Sequence, residues 1–335
     1  MSKPSSLKRG AFLSVIGFLA YLSVSPANAI VGADREVKIG EASYVVSIQD
    51  YSPELSGDGY STTCSGSLIS PTIVITAAHC ISENQAVASW RVLAGSKNLE
   101  DPNIQKIKVI AAVYHKKYDQ VQDYSLVDSN GTVLFHHEAI LYSGDSKESY
   151  DIALLLLATP VVNVSPVSLA YGGYEPTLSS WRAYGFGVGD NGLLSNTLLT
   201  AEQYDYTQAA KATLGDPLIR NYAVGAFTST EEASGACFGD SGGPLVDGKN
   251  VLIGLTSFGI SNDCNTQDWT IYTKVSSYSG WISTAMRVLE YTQEQVSLDS
   301  NLGEDINNLK HYKGATLAPG YPDYQTYRAI PVYLV

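Results

Sequence analysis

The sequence predicts an all-β protein built on antiparallel barrels. Short segments rich in β-branched and aromatic residues recur at regular spacing along it, the pattern of strands in a barrel. One segment, Ile152 to Leu157, is apolar at every position, as a strand buried on both faces or a barrel wall requires. At 335 residues the chain can bury a full core as one large or two smaller domains, and its 44% hydrophobic content makes it globular.

The N-terminus reads as a targeting segment. Lys3, Lys8 and Arg9 precede an apolar run from Ala11 to Val24, too short for a typical membrane span. Ala27-Asn28-Ala29 then forms a small-x-small cleavage site. Residues 1–29 are therefore expected to be a signal peptide, with a mature chain starting at Ile30 and secreted to an extracellular or periplasmic space. No later stretch is long and apolar enough to span a bilayer, so no transmembrane segment is expected in the mature chain. The formal charge is −12, which argues against a nucleic-acid partner and leaves no basic patch for a membrane surface. Four cysteines fit an oxidising compartment and allow three pairings. No Cys-x-x-Cys pair exists, so neither a metal nor a cofactor is expected.

The strands follow in order. Tyr44 to Gln49 has strand composition, and the Ser-, Gly-, Pro- and Asp-rich stretch from Asp50 to Tyr60 reads as a loop. Thr63 to Ile69 and Thr72 to Thr76 read as a hairpin leading to His79. Trp90 to Gly95 and Ile104 to Val113 are further strands. Thr132 to Phe135 is expected to pair with Ala139 to Tyr142 as a hairpin arm, with His136-His137 in an exposed polar turn.

Three motifs carry chemistry. Gly239-Asp240-Ser241-Gly242-Gly243-Pro244 reads as a tight loop presenting a serine, with glycines that let the backbone bend and approach a ligand closely. A serine hydroxyl needs a base to act as a nucleophile, and nearby N–H donors to hold the charge on an attacked carbonyl oxygen. Upstream stand Thr76-Ala77-Ala78-His79-Cys80 and Asp151-Ile152-Ala153-Leu154. The serine loop alone also fits the Gly-x-Ser-x-Gly elbow of α/β-hydrolases, but there the acid and histidine follow the serine. Here the only later histidine is His311, in a polar tail.

The three motifs, in the order His, Asp, Ser, closely resemble trypsin-like (chymotrypsin-fold) serine proteases over about residues 30–288. The resemblance implies two antiparallel six-stranded β-barrels, approximately 30–165 and 166–288, with residues 161–180 as the linker between them. Ser180 to Gly187 resembles the strand entering the second barrel. Val251 to Gly259 and Trp269 to Val275 resemble its later strands, and Val275 to Leu289 the final helix. It further implies that His79, Asp151 and Ser241 are catalytic, with Gly239 and Ser241 as the oxyanion hole. It implies disulfides Cys64–Cys80 and Cys237–Cys264. It also implies an activation ion pair between a freed Ile30 ammonium and Asp240. Members are usually cut after Arg or Lys; here Ile30 follows Ala29, so signal peptidase is expected to generate the active N-terminus.

The same resemblance places a substrate pocket at Gly235, Ser257, Phe258, Gly259 and Thr270. Gly235 stands where trypsins carry aspartate, and Thr270 where many relatives carry glycine. A neutral, shallow pocket implies cleavage of protein or peptide substrates after small or medium apolar residues. The alternatives are trypsin-like cleavage after Arg or Lys, with Asp263 or Asp268 supplying charge, and a non-catalytic homologue acting as a binding module. A protein inhibitor is a candidate partner. Residues 118–149 exceed the family pattern, and residues 289–335 form a C-terminal extension, polar and then tyrosine-rich.

Overall fold

The computed structural model describes residues 30, 33–81, 89–115, 118, 124–127, 133–137, 150–177, 181–208, 222–227, 235–259, 264, 269–298 and 327–329. The strands, in chain order, are β1 (Arg35–Glu36), β2 (Val45–Tyr51), β3 (Tyr60–Ser70), β4 (Ile73–Thr76), β5 (Trp90–Ala94), β6 (Gln105–His115), β7 (Tyr124–Val127), β8 (Val133–His137) and β9 (Ala153–Leu157). They continue as β10 (Ser168–Leu169), β11 (Trp181–Gly185), β12 (Leu199–Asp205), β13 (Tyr222–Phe227), β14 (Pro244–Val246), β15 (Val251–Gly259), β16 (Trp269–Lys274) and β17 (Tyr327–Ala329). A long helix, α1, spans Ser279–Leu298.

Two six-stranded rings result. In the first, β5, β2, β3, β4 and β9 pair in turn, and β6 bonds both β5 and β9 to close the ring. In the second, β12, β11, β14, β15, β16 and β13 pair in turn, and β12–β13 closes it. Closure removes the unpaired sheet edges that would otherwise invite aggregation. The apolar run after Asp151 becomes β9, with every residue from Ile152 to Leu157 buried. It lies between β4 and β6 in the first ring's wall. Within α1 the buried residues Trp281, Ile282, Ala285, Val288 and Leu289 recur at helical spacing and face β6 and β9. A second cluster gathers Ile30, Trp181, Ala183, Ala201, Leu245, Ile253 and Tyr272.

Three sequence expectations change. Val133–His137 pairs with Tyr124–Val127, not with 139–142, which lie outside the described residues. His136 and His137 are therefore strand residues opposite Ser125 and Tyr124, not a turn. The apolar spacing of 132–142 alone could not choose between a partner before it and one after it. Val275–Tyr278 forms a 3-10 turn, so the helix starts at Ser279 and runs past residue 288 to Leu298. The stretch 161–180 holds a short strand, β10, which pairs in parallel with β15. From the C-terminal extension, β17 adds to β6, Tyr327 opposite His115.

Candidate active site

The site assembles at the ends of paired strands. In the β4–β9 ladder Thr76 lies opposite Ala153. His79, three residues beyond β4, and Asp151, two before β9, therefore leave the same end of one strand pair. Likewise Pro244 of β14 faces Leu255 of β15, so Ser241 and Ser257 emerge together at one end of the second ring. The two ends meet.

Asp151 is the meeting point. Its carboxylate is buried, and three donors reach it: His79 N to Oδ1 at 2.9 Å, the His79 imidazole Nδ1 to Oδ2 at 2.8 Å, and Ser257 Oγ to Oδ2 at 2.5 Å. Thr273 Oγ1 donates to its main-chain carbonyl at 2.9 Å. Burial works against the Asp151 charge, but the His79 cation and these hydrogen bonds outweigh it and hold the carboxyl below its ordinary value. Burial also works against protonated His79, and the adjoining Asp151 charge again wins, so the imidazole is more basic than usual. A carboxylate that only accepts fixes the proton on Nδ1 and leaves Nε2 as the acceptor.

The serine loop is clamped peptide by peptide. Val188 N donates to Phe238 O at 2.8 Å, Gly243 N to Asp240 O at 2.9 Å, and Ser65 N to Ser241 O at 2.8 Å. Asp240 N and Gly242 N are also engaged, to Cys237 O and Thr256 O. Among the described residues, no acceptor is found for the N–H groups of Gly239 and Ser241. Gly239 (φ +95°) and Gly242 (φ +74°) hold left-handed conformations that a side chain would strain. A Cβ on Gly242 would also sit 2.7 Å from Ala77 N, so the loop lies directly on the histidine segment. Cys80 Sγ is 3.6 Å from the Ser241 carbonyl oxygen. Cys80 is disulfide-bonded to Cys64, and Cys237 to Cys264.

The arrangement thus places an imidazole oriented by a buried carboxylate on the segment against which the Ser241 loop packs. The sequence model of the family described as Trypsin matches residues 30–282. The chain belongs to the trypsin family. It is a chymotrypsin-fold serine endopeptidase, a hydrolase. Chymotrypsin-like elastase family member 1 from Rattus norvegicus is 32% identical over 251 residues, 71% of this chain and 83% of the relative. The Homo sapiens protein of the same name is 32% identical over 244 residues, 69% and 84% of the two chains. Lectizyme from Glossina austeni is 27% identical over 286 residues, 78% and 88%. In fold, neuropsin, a serine protease of mouse brain, aligns at a TM-score of 0.54 with 24% identity, covering 75% of this chain and 98% of its own.

The residues expected to form the substrate pocket also come together. Gly259 pairs with Thr270 and Phe258 with Ile271, while Ala236 N donates to Thr270 Oγ1 at 3.2 Å beside buried Gly235. Thr270 thus bridges the two walls formed by 235–236 and 257–259. Asp263 and Asp268 lie outside the described residues. Among the described residues, no helix is long and apolar enough to cross a membrane. Ser65, Thr273 and Gly187 were not singled out from the sequence, yet each bonds a site residue. No local pattern marks them: β3 is rich in serine and threonine throughout, and the partners lie far off in sequence.

Asp240 differs from Asp151. Its oxygens accept from Gly187 N at 2.8 Å and Cys237 N at 2.9 Å, and among the described residues no cation faces it. Burial pushes it up to about 7, against the pull of those two bonds. Ile30 packs with Tyr272, whose hydroxyl senses the Asp240 charge, but its nitrogen here is a peptide amide. A carboxyl raised from 3.8 to about 7 favours folding at low pH, and that contribution is lost as pH rises through 7, on the order of 4 kcal/mol in all. In a precursor whose Ala29–Ile30 bond is kept intact, urea unfolding should therefore show stability falling between pH 4 and pH 7.5. Asp240→Asn should remove that part of the fall; an unchanged pH profile would count against it.

Proposed function

We propose that this endopeptidase is secreted, acts through an acyl-enzyme, and cleaves after small or medium apolar residues. The reading rests on one observation above the others: His79 is held at 2.8 Å by buried Asp151 while the Ser241 loop lies against the same His79 segment. Ser241 Oγ attacks the scissile carbonyl carbon and passes its proton to His79 Nε2. The carbonyl oxygen, now anionic, accepts hydrogen bonds from Gly239 N–H and Ser241 N–H. The intermediate collapses, His79 returns the proton to the departing amine, and Ser241 carries the acyl group. Water attacks that ester with His79 as base, and Ser241 leaves with the proton restored. Asp151 stays ionised and stabilises the imidazolium in both halves.

The specificity reading rests on Gly235, which offers no charge, and on Thr270, whose side chain spans the pocket walls. A basic side chain would enter without a counter-ion, at a cost that water outside does not impose. The relatives named chymotrypsin-like elastase support the same preference. Activation follows from Asp240. Cleavage after Ala29 frees an Ile30 ammonium beside the Tyr272 cluster, where it pairs with the raised carboxyl and lowers it. Signal peptidase supplies that cut, so export and activation become one event.

Three outcomes test this. Ser241→Ala should lower turnover by about 10⁶-fold with the parent's thermal midpoint retained, and a serine-directed phosphonate should label the parent only. Parent-rate cleavage by the variant would defeat the nucleophile assignment, and an unlabelled parent would favour the binding module. Across peptides with Ala, Val, Leu, Phe or Arg before the scissile bond, Ala, Val or Leu should be cleaved fastest; Arg fastest would restore the trypsin-like alternative. Sequencing of the exported protein should begin at Ile30, and any other start refutes single-step activation.

A further inference from the structure

We infer that Ser65 is a positioning residue for the oxyanion donors: its hydroxyl pins the Gly239–Asp240 peptide and so keeps the Gly239 and Ser241 N–H groups aimed at the reacting oxygen. The inference rests on the Ser241 reading above and deepens it.

Ser65 lies on β3 of the first ring and is fully buried. Its Oγ donates to Gly239 O at 2.9 Å and accepts from Phe186 N at 3.3 Å. Gly239 O can only accept, so the hydroxyl proton goes to it, while Phe186 N–H donates to a lone pair of the same hydroxyl oxygen. The main chain of Ser65 is held too: its N donates to Ser241 O at 2.8 Å, and its O accepts from Thr76 Oγ1 at 2.9 Å. One residue thus grips the loop at the carbonyls of both residues that carry the donors. Thr76 ties it to the strand that leads to His79. The other carbonyl clamps, on Phe238 and Asp240, come from Val188 N and Gly243 N in the second ring. Among the described residues, only Ser65 reaches Gly239 O from the first ring, and the side chain alone makes that bond. Without it a buried carbonyl loses its donor, and the Gly239–Asp240 peptide, which links the two donor-bearing peptides next to a left-handed Gly239, is held only through the Asp240 N–H bond to Cys237 O, so the two donors lose part of their alignment.

The test is Ser65→Ala, with rates expressed per active site counted by burst titration, so that misfolded chains do not enter. Turnover should fall about 10- to 100-fold, below the full loss of one donor, with KM within about threefold. Affinity for a peptide boronic acid, whose tetrahedral adduct presents an oxygen to the donors, should fall by the same factor. Affinity for the product peptide should not change. Ser67→Ala is the control: it is equally buried on the same strand, but its Oγ has no hydrogen-bond partner, so parent kinetics are expected. Turnover of Ser65→Ala within twofold of the parent would overturn the inference. So would equal losses of boronate and product affinity, which mean general damage to the pocket. A variant with no titratable sites would show a folding role and overturn it as well. If the parent itself neither turns over nor titrates, the nucleophile reading falls first and takes the inference with it.

Discussion

The rest of the structure depends on one buried carboxylate. Asp151 has almost no contact with solvent, and an ion so placed is tolerated only when its oxygens are fully served by donors. Two of its donors come from His79, at the end of the first ring, and the third from Ser257, at the end of the second. Neither ring can satisfy it alone. The hydrogen-bond requirement of a single side chain therefore dictates how two barrels meet, and their meeting is the cleft. The same bonds that make burial tolerable also fix the imidazole tautomer, so the structural demand and the chemical one coincide.

Asp240, the residue before Ser241, is as deeply buried but, among the described residues, served only by two backbone N–H groups. The difference is in sign: Asp151 is held below its ordinary value, whereas burial pushes Asp240 up to about 7. A site that drags a carboxyl upward is one that would reward a cation strongly. Ile30, where the mature chain is expected to begin, lies in the same buried cluster as Tyr272, whose hydroxyl senses the Asp240 charge. One carboxylate is complete in the chain as it stands; the other, among the described residues, faces no cation.

Much of this was legible in the sequence, for reasons that differ by residue. His79, Asp151 and Ser241 stand out because short motifs surround them: glycines around the serine, small residues before the histidine, an apolar strand after the aspartate. The strands of the first ring were legible because burial on one or both faces writes a short-range pattern. Ser65 was not, since its role is a bond to Gly239, 174 positions away, and nothing local distinguishes a serine that pins a loop from one that merely fills a strand. The partner of Val133–His137 failed for the same reason: composition marks a strand but not the segment it pairs with. The start of α1 slipped by four residues because a 3-10 turn carries apolar residues at nearly helical spacing. Strand β17 was hidden in a polar tail, where three residues leave no periodicity to read.

Apolar contact joins the rings, with Phe186, Leu198 and Leu255 in one buried cluster with first-ring residues, but polar bonds cross the boundary too. Inside, β9 contributes a wall of leucines; between the rings lie Ser65, Thr273, Ser257 and Asp151, each polar, buried and paired across the boundary. Apolar contact is nearly indifferent to a shift of an ångström, whereas a hydrogen bond is not, and an unpaired buried partner costs about 1–3 kcal/mol. A cleft built from apolar contact would hold its two halves together without fixing their register. Fixing it matters to the proposed mechanism, in which His79 comes from one ring and the oxyanion donors from the other, because a displacement of about 1 Å between reacting groups costs on the order of 10²-fold in rate. Polar residues at this boundary thus contribute little net stability and much geometry, which explains why a chain that could bury more leucine there carries serine and threonine instead.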